Sequence, residues 1–196
     1  MRGFSLIEVM VAVAILGIFA ALAVPSLLPE VHKAQLNGAA EAAAGFLARA
    51  RAEAMLSKRC VRVRVDAGPP TELVMERINS FDCELAAPTA PFIDGSANPF
   101  IELARLKPES PSVIYSLSVA PATPGGELRI RPNGRSFSAL GSAALGLNND
   151  DAVFNVRHPL ITAGSDTRRI LYDGNGLICA AARGQALVGG PDFSCP

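Results

Sequence analysis

The chain has 196 residues and a formal net charge of zero. This length suffices for one globular domain with an appendage, and the balanced charge argues against a general polyanion-binding role. The sequence contains no GxSxG, P-loop or HExxH pattern and no closely spaced set of His and Cys ligands. It therefore predicts no enzyme, no metal site and no cofactor site.

The first predicted element is a long apolar segment. No charged side chain occurs from Val9 to Pro29, and with residues 4–7 the run can cross about 30 Å of hydrocarbon as a helix. Arg2 is the only charge ahead of Glu8, which favours an N-terminus in the cytoplasm. Glu8 is the anomaly, because a lone carboxylate in hydrocarbon costs several kcal/mol and usually has a partner.

The helical pattern continues beyond the apolar run as an amphipathic segment. Apolar residues recur at spacings of three and four, at Leu36, Ala40, Ala43, Leu47, Ala50 and Ala54, which indicates one buried stripe on a helix. The opposite face carries Gln35, Glu41, Arg49 and Arg51. We predict that Pro25 and Pro29 kink one helix over residues 4–57 without ending it. At about 80 Å, this helix is longer than a compact head, so its first half must protrude.

Two simpler interpretations of the N-terminal segment compete. Ala21-Leu22-Ala23 has the pattern of a secretory cleavage site, but Glu8 interrupts the apolar run and the helical pattern continues past the cut. A simple single-pass anchor explains the apolar run and leaves Glu8 without a purpose.

After residue 58 the sequence predicts short strands. Cys60 to Val65 alternates apolar and charged residues, which is typical of a half-exposed strand. Further strands are predicted at 71–78, 113–119, 127–131, 153–156, 169–172 and 177–181, with a short helix near residues 100–106 and a hairpin turn at residues 173–176. The predicted fold class is α+β, with about seven short antiparallel strands covered by the second half of the helix.

The stretch Gly3-Phe4-Ser5-Leu6-Ile7-Glu8 resembles the processing site of type IV pilins and type II secretion pseudopilins. The resemblance implies that a prepilin peptidase removes leader residues 1–3 and methylates the new N-terminal Phe4. It further implies a transmembrane and filament-core half at 4–29, an amphipathic half at 30–58 and a periplasmic head at 59–196. The ammonium on Phe4 would then compensate the Glu8 carboxylate of a neighbouring subunit, since each charge alone is costly in lipid.

The head resembles one branch of this family, the GspH/FimT-type minor pilins, in residues 128–134 and 168–176. This implies a minor pilin, a non-enzymatic subunit that primes assembly of or caps a type IV pilus for adhesion, twitching motility or DNA uptake. The alternative is a minor pseudopilin of a type II secretion system, and a third possibility is an anchored periplasmic binding module. Implied partners are other pilins, the prepilin peptidase and the inner-membrane assembly platform. The implied location is the bacterial inner membrane with the head in the periplasm, and then the filament tip.

The four cysteines and a row of arginines complete the candidate sites. An even number of cysteines in an exported domain indicates two disulfides, and of the three pairings we favour Cys60–Cys83 with Cys179–Cys195. The arginines Arg62, Arg64, Arg129, Arg131 and Arg135 form a stripe that could contact DNA phosphates, although solvated strand faces are the favoured interpretation. His32 is predicted to be solvated and His158 to lie in a loop or at a strand end.

Overall fold

A computed structural model describes residues 5–66, 68–79, 95, 98–119, 123–124, 127–138, 152–161, 167–172 and 174–181. One helix, α1, runs from Leu6 to Ser57, which corresponds to about 78 Å. It begins after Ser5, whose backbone is extended, and Lys58 closes it in the left-handed conformation. The prediction that Pro25 and Pro29 do not end the helix is confirmed.

Ten strands form the described part of the head. They are β1 (Val61–Asp66), β2 (Glu72–Ile78), β3 (Phe100–Leu106), β4 (Ile114–Val119), β5 (Thr123–Pro124), β6 (Glu127–Ile130), β7 (Ser136–Ser138), β8 (Ala152–Arg157), β9 (Thr167–Tyr172) and β10 (Ile178–Ala181). They make two five-stranded sheets, ordered β3-β2-β1-β6-β7 and β10-β9-β8-β4-β5. The α+β class is confirmed, and the ten described strands exceed the predicted number of about seven.

In the first sheet, β1 and the turn that follows it form where the local sequence pattern predicts them. In β1, Val61 and Val63 are buried while the side chains of Arg62 and Arg64 are 14% and 33% exposed, an alternation that the period-two pattern predicts. The turn at residues 68–70 joins β1 to β2, with Asp66 opposite Glu72. All strand pairs described in both sheets are antiparallel.

The prediction of a short helix near residues 100–106 is wrong, because this segment is strand β3. It pairs with β2 along its length, with Ile78 opposite Phe100 and Leu73 opposite Leu106. The backbone groups on the outer edge of β2 need partners. Residues 100–106 have no strong intrinsic preference for helix or strand, so they adopt the strand conformation that supplies these hydrogen-bond partners.

The core lies where α1 meets the two sheets. All six residues of the predicted stripe are buried, with exposures of 0% for Leu36, Ala43, Leu47, Ala50 and Ala54 and 6% for Ala40. Strands of both sheets contact the helix. Four of the six residues are alanines, so the helix backbone can approach the strands closely while Leu36 and Leu47 fill the larger gaps.

Candidate assembly site

Glu8 lies in the first turn of α1, on a surface that is otherwise apolar. Its backbone N–H donates to the Ser5 carbonyl oxygen at 3.0 Å. The neighbouring Leu6, Ile7 and Val9 are 79%, 68% and 52% exposed. A carboxylate in the first turn interacts favourably with the helix dipole. No ion pair to Glu8 occurs among the described residues, so nothing in the described chain neutralises its charge.

The first part of α1 is apolar and exposed on every side. All described side chains from Ser5 to Phe19 are exposed, and the large apolar ones among them are Leu6, Ile7, Val9, Met10, Val11, Val13, Ile15, Leu16, Ile18 and Phe19. A helix that is apolar all round is normally buried in a larger assembly or in lipid. A side chain added at Gly17 would meet no atom within 4 Å, so this surface is open to a close neighbour.

No helix among the described residues combines the length and the hydropathy needed to cross a membrane. The transmembrane assignment of residues 4–29 stays a prediction.

Two histidines stack where the helix enters the head. The rings of His32 and His158 lie 4.7 Å apart between centroids at an interplanar angle of 24°. His158 is fully buried directly after β8, which confirms its predicted place at a strand end. The prediction that His32 is solvated is wrong, since it is half-buried and stacks on a residue far away in sequence. This contact anchors the point at which α1 leaves the head.

Two hydrogen bonds reinforce this junction. Nε2 of His158 lies 3.3 Å from the Gln35 carboxamide oxygen, and Nε of Arg168 donates to the Asn37 side-chain oxygen at 2.9 Å. Nδ1 of His158 is buried and has no hydrogen-bond partner in the described part of the chain. The helix is therefore held to β8 and β9 by polar groups as well as by its apolar stripe.

We expect the stability of the head to fall as the pH falls below about 6.5. Burial, and then the charge of His32, lower the pKa of His158 below its usual value of 6.5. In the unfolded chain His158 takes up a proton at about pH 6.5, whereas in the folded chain it does so only at a lower pH. The contribution of neutral His158 to the free energy of unfolding is therefore complete above about pH 6.5 and declines as the pH falls toward the pKa of the folded chain. Urea unfolding of the wild-type chain at about pH 7.5 and pH 5 measures the effect. His158→Asn should show a smaller decline, and an equal decline in this variant would contradict the assignment.

Two glycine turns meet above the second half of α1. Gly134 and Gly176 have φ angles of 80° and 88°, which residues with a Cβ rarely adopt. A Cβ at either position would lie 2.9 Å from Nε of Arg51, and a Cβ at Gly176 would also overlap the Gly134 carbonyl oxygen. The Tyr172 hydroxyl donates to that same oxygen at 2.9 Å. The two turns that resemble the GspH/FimT branch therefore form one contact.

Arg51 does not lie on a solvent-exposed face as the sequence pattern predicts. Its side chain is half-buried beneath the two glycine turns, and its Nε has no hydrogen-bond partner among the residues that the structure describes. The other residues of the predicted polar face, Gln35, Glu41 and Arg49, are exposed as expected.

The arginine stripe is largely neutralised by carboxylates on the same sheet. Arg62 forms ion pairs with Glu76 and, at 3.0 Å, with Glu127. Arg64 approaches Glu76 at 3.4 Å, and Nε of Arg129 donates to Glu127 at 2.7 Å. Arg129 is also fully buried, so it is not on a solvated face as predicted.

The remaining two arginines do not extend the stripe into a free cationic row. Arg135 donates to the side-chain oxygen of Asn175 at 3.2 Å, and Arg131 is half-buried. Phosphate binding requires cations that can leave their present partners. The geometry therefore gives no support to a contact between these arginines and DNA.

The structure describes only two of the predicted cysteine and processing residues. Neither Cys60, which is 1% exposed, nor Cys179 is a free thiol. Cys83 and Cys195 lie outside the described residues, so the pairings Cys60–Cys83 and Cys179–Cys195 stay predictions. Gly3 and Phe4 also lie outside the described residues.

Comparisons with known proteins agree with this description. Residues 1–24 match the family described as the prokaryotic N-terminal methylation motif. The structure is similar to the minor pseudopilin EpsH from the type 2 secretion system of Vibrio cholerae, with a TM-score of 0.52 and 11% identity over 78% of this chain and 99% of that one. The chain therefore has an N-terminal methylation motif and a fold similar to that of a minor pseudopilin.

Two further structures resemble the chain less closely by TM-score. Both are of the type IV minor pilin FimU of Pseudomonas aeruginosa, in two crystal forms. The first has a TM-score of 0.48 and 18% identity over 79% of this chain and 94% of that one; the second has a TM-score of 0.45 and 17% identity over 75% and 93%. No curated protein matches the sequence. The predicted pilin-like fold is confirmed by the similarity to EpsH.

Proposed function

We propose that this chain is a non-enzymatic minor subunit of a pilus or pseudopilus that assembles through the first half of α1. The proposal rests on the position of Glu8. Its carboxylate has no partner among the described residues, and it lies within a methylation motif on an exposed apolar helix. A charge in that position is costly unless another chain neutralises it. An apolar helix surface exposed on all sides likewise needs neighbouring helices or lipid.

The proposed maturation supplies the missing opposite charge. Removal of residues 1–3 by a prepilin peptidase leaves a methylated ammonium on Phe4, which pairs with Glu8 of a neighbouring subunit. The small residues Ala12, Ala14 and Gly17 let the helices approach closely. Insertion in the inner membrane, with the head in the periplasm, precedes transfer by the assembly platform into the filament.

Within this proposal, a type IV pilus minor pilin that primes or caps the filament is the first candidate. The cysteine-containing head, with a predicted C-terminal disulfide, favours it. A minor pseudopilin of a type II secretion system is the second candidate, and the fold shared with EpsH supports it. Deletion of the gene separates them: the first candidate predicts a loss of surface pili with normal protein secretion, and the second predicts the reverse.

The decisive experiment is intact-mass and N-terminal analysis of the chain purified from its own membranes. We expect a protein that lacks residues 1–3 and carries one methyl group on Phe4. Gly3→Val should remain unprocessed, whereas Gly17→Ala, which adds a methyl group in open space, should be processed normally. An intact Met1, or a chain that begins at Val24, would overturn the proposal.

A further inference from the structure

The head has an end that faces the apolar half of α1, which we call its base. Ala152, at the start of β8, pairs with Tyr172, whose hydroxyl reaches the glycine turn that lies on Arg51. Directly after the other end of β8, His158 stacks on His32. Strand β8 therefore runs back along α1, from the level of Arg51 to the level of His32. The turn that follows β8 lies at the base.

This turn holds an apolar side chain in the open. The Ile161 N–H donates to the His158 carbonyl oxygen at 3.2 Å. His158 is fully buried, and the Ile161 side chain packs against the core, so both ends of the turn are fixed to the head. Between them, Pro159 is exposed and Leu160 is 65% exposed. Leu160 therefore projects from a rigid support and cannot fold back into the core.

Other exposed apolar side chains lie at the same level as Leu160. Leu28 and Val31 are 53% and 50% exposed. Each precedes by four positions a helix residue that contacts His158, so both lie on the face of α1 that meets the base. Ile114 is 40% exposed and pairs with the last residue of β8. The apolar surface of the first half of α1 thus continues onto the base of the head.

The base lies at a level along α1 that corresponds to the edge of a bilayer. The charge-free run from Val9 to Pro29 is about 30 Å long as a helix. The hydrocarbon core of a bilayer is also about 30 Å thick, and a polar layer of about 5–7 Å covers each side. His32 follows the run by about 4.5 Å along the helix. With the run in hydrocarbon, the turn beside His32 lies in the polar layer.

The described charges at the base are compatible with anionic lipid headgroups. Lys33 forms an ion pair with Glu30, so these two residues together add no net charge. Arg157 is exposed at the start of the turn, where lipid phosphate attracts a guanidinium group. The cleft that Glu109 lines begins at Gln35 and extends along α1 away from the apolar half. Its carboxylate is therefore not part of the surface around Leu160.

We propose that the base of the head rests on a lipid bilayer, with Leu160 inserted at the boundary between headgroups and acyl chains. This inference rests on the proposed insertion of α1 in the inner membrane, and it adds a second lipid contact outside the helix. Because the turn is fixed to α1 through His158 and His32, the two contacts together set the orientation of the head on the membrane. The contact belongs to the membrane-bound subunit, before its transfer into the filament.

Single tryptophans make the depth of each position measurable, because the sequence contains no tryptophan. The variants are Leu160→Trp at the base, Phe19→Trp in the apolar half of α1, and Leu177→Trp. Leu177 is the matched control, since it is also an exposed leucine but follows the glycine turn that lies on Arg51, far from the base. The full-length variants are placed in vesicles of phosphatidylethanolamine and phosphatidylglycerol, with and without phosphatidylcholine brominated near the carboxyl end of its acyl chains. Bromine quenches only a tryptophan that reaches the lipid.

We expect the emission of Leu160→Trp to be blue-shifted in plain vesicles and quenched in brominated ones, as for Phe19→Trp. Leu177→Trp should keep the emission of a water-exposed indole and stay unquenched. All three positions are exposed, so the urea midpoints in detergent should match wild type.

The same measurements separate this inference from the proposed function. Quenching of Phe19→Trp without quenching of Leu160→Trp would overturn the lipid contact and leave the insertion of α1 intact. If neither is quenched, the proposed insertion fails as well. Equal quenching of Leu177→Trp would show that the head adsorbs without a preferred face, and a blue shift of Leu160→Trp without quenching would identify another protein chain as the occupant. Both results contradict the proposal.

Discussion

Replacing Gly176 with alanine is expected to destabilise the head by roughly 2–5 kcal/mol. The left-handed conformation costs a residue with a Cβ about 1–2 kcal/mol, and overpacking a filled site adds about 1–3 kcal/mol. Here the added methyl group meets the backbone oxygen of Gly134, which cannot rotate away, and Nε of Arg51 at 2.9 Å. The measurement is the urea midpoint of the full chain in detergent, compared with wild type.

Gly45→Ala is the matched control for this variant. Gly45 is exposed on α1, and a Cβ there would meet nothing within 4 Å. The same substitution should therefore raise stability, by up to about 1 kcal/mol, since alanine is the better helix former. If Gly176→Ala unfolded at the wild-type midpoint, the close contact between the two glycine turns would be refuted.

Replacing Glu8 with alanine is expected to reduce incorporation into filaments about a hundredfold while leaving membrane insertion and cleavage largely intact. The variant would leave the ammonium of a neighbouring Phe4 unpaired in an apolar environment. A single charge of this kind costs about 2.5–3.5 kcal/mol, which corresponds to about two orders of magnitude. The measurement is the ratio of filament-bound to membrane-bound subunit, by immunoblot of sheared filaments and membranes.

Glu41→Ala provides the control for Glu8→Ala on the same helix. Glu41 is exposed and lies in the half of α1 that packs on the head, so loss of its charge should leave incorporation unchanged. Mass analysis of both variants checks that residues 1–3 are still removed. Normal incorporation of a correctly processed Glu8→Ala subunit would refute the charge-pairing account.

The two variants test different parts of the molecule. Gly176→Ala acts on the contact between the sheets and the second half of α1, so it should change the stability of the head first. Glu8 is exposed and forms no ion pair with any described side chain. The unfolding midpoint of the head in Glu8→Ala should therefore stay at the wild-type value.

Local sequence patterns predicted the elements whose side chains have a regular period. The apolar stripe from Leu36 to Ala54 is buried as its spacing required, because a helix can bury only one face against a sheet. The alternation in β1 likewise placed its valines inside and its arginines outside. Segment 100–106 has no such period, and its conformation depends on pairing with β2, which the sequence of the segment does not encode.

Among the candidate site residues, too, some can be recognised from the local sequence and others only from the tertiary structure. Glu8 stands out in the sequence because a charge in an apolar run is unusual whatever the tertiary structure. The stack of His32 on His158 joins residues more than a hundred positions apart, and neither has a local pattern that points to the other.

The sequence by itself determined the long helix, its buried stripe, most of the strands and the N-terminal motif, because each depends on neighbouring residues along the chain. Only the tertiary structure decided that the head has two sheets, that Arg51 lies beneath two glycine turns, and that Arg62, Arg64 and Arg129 are paired with carboxylates. These features depend on which distant segments meet. Their contacts arise from packing and charge compensation across the fold, which no local period records.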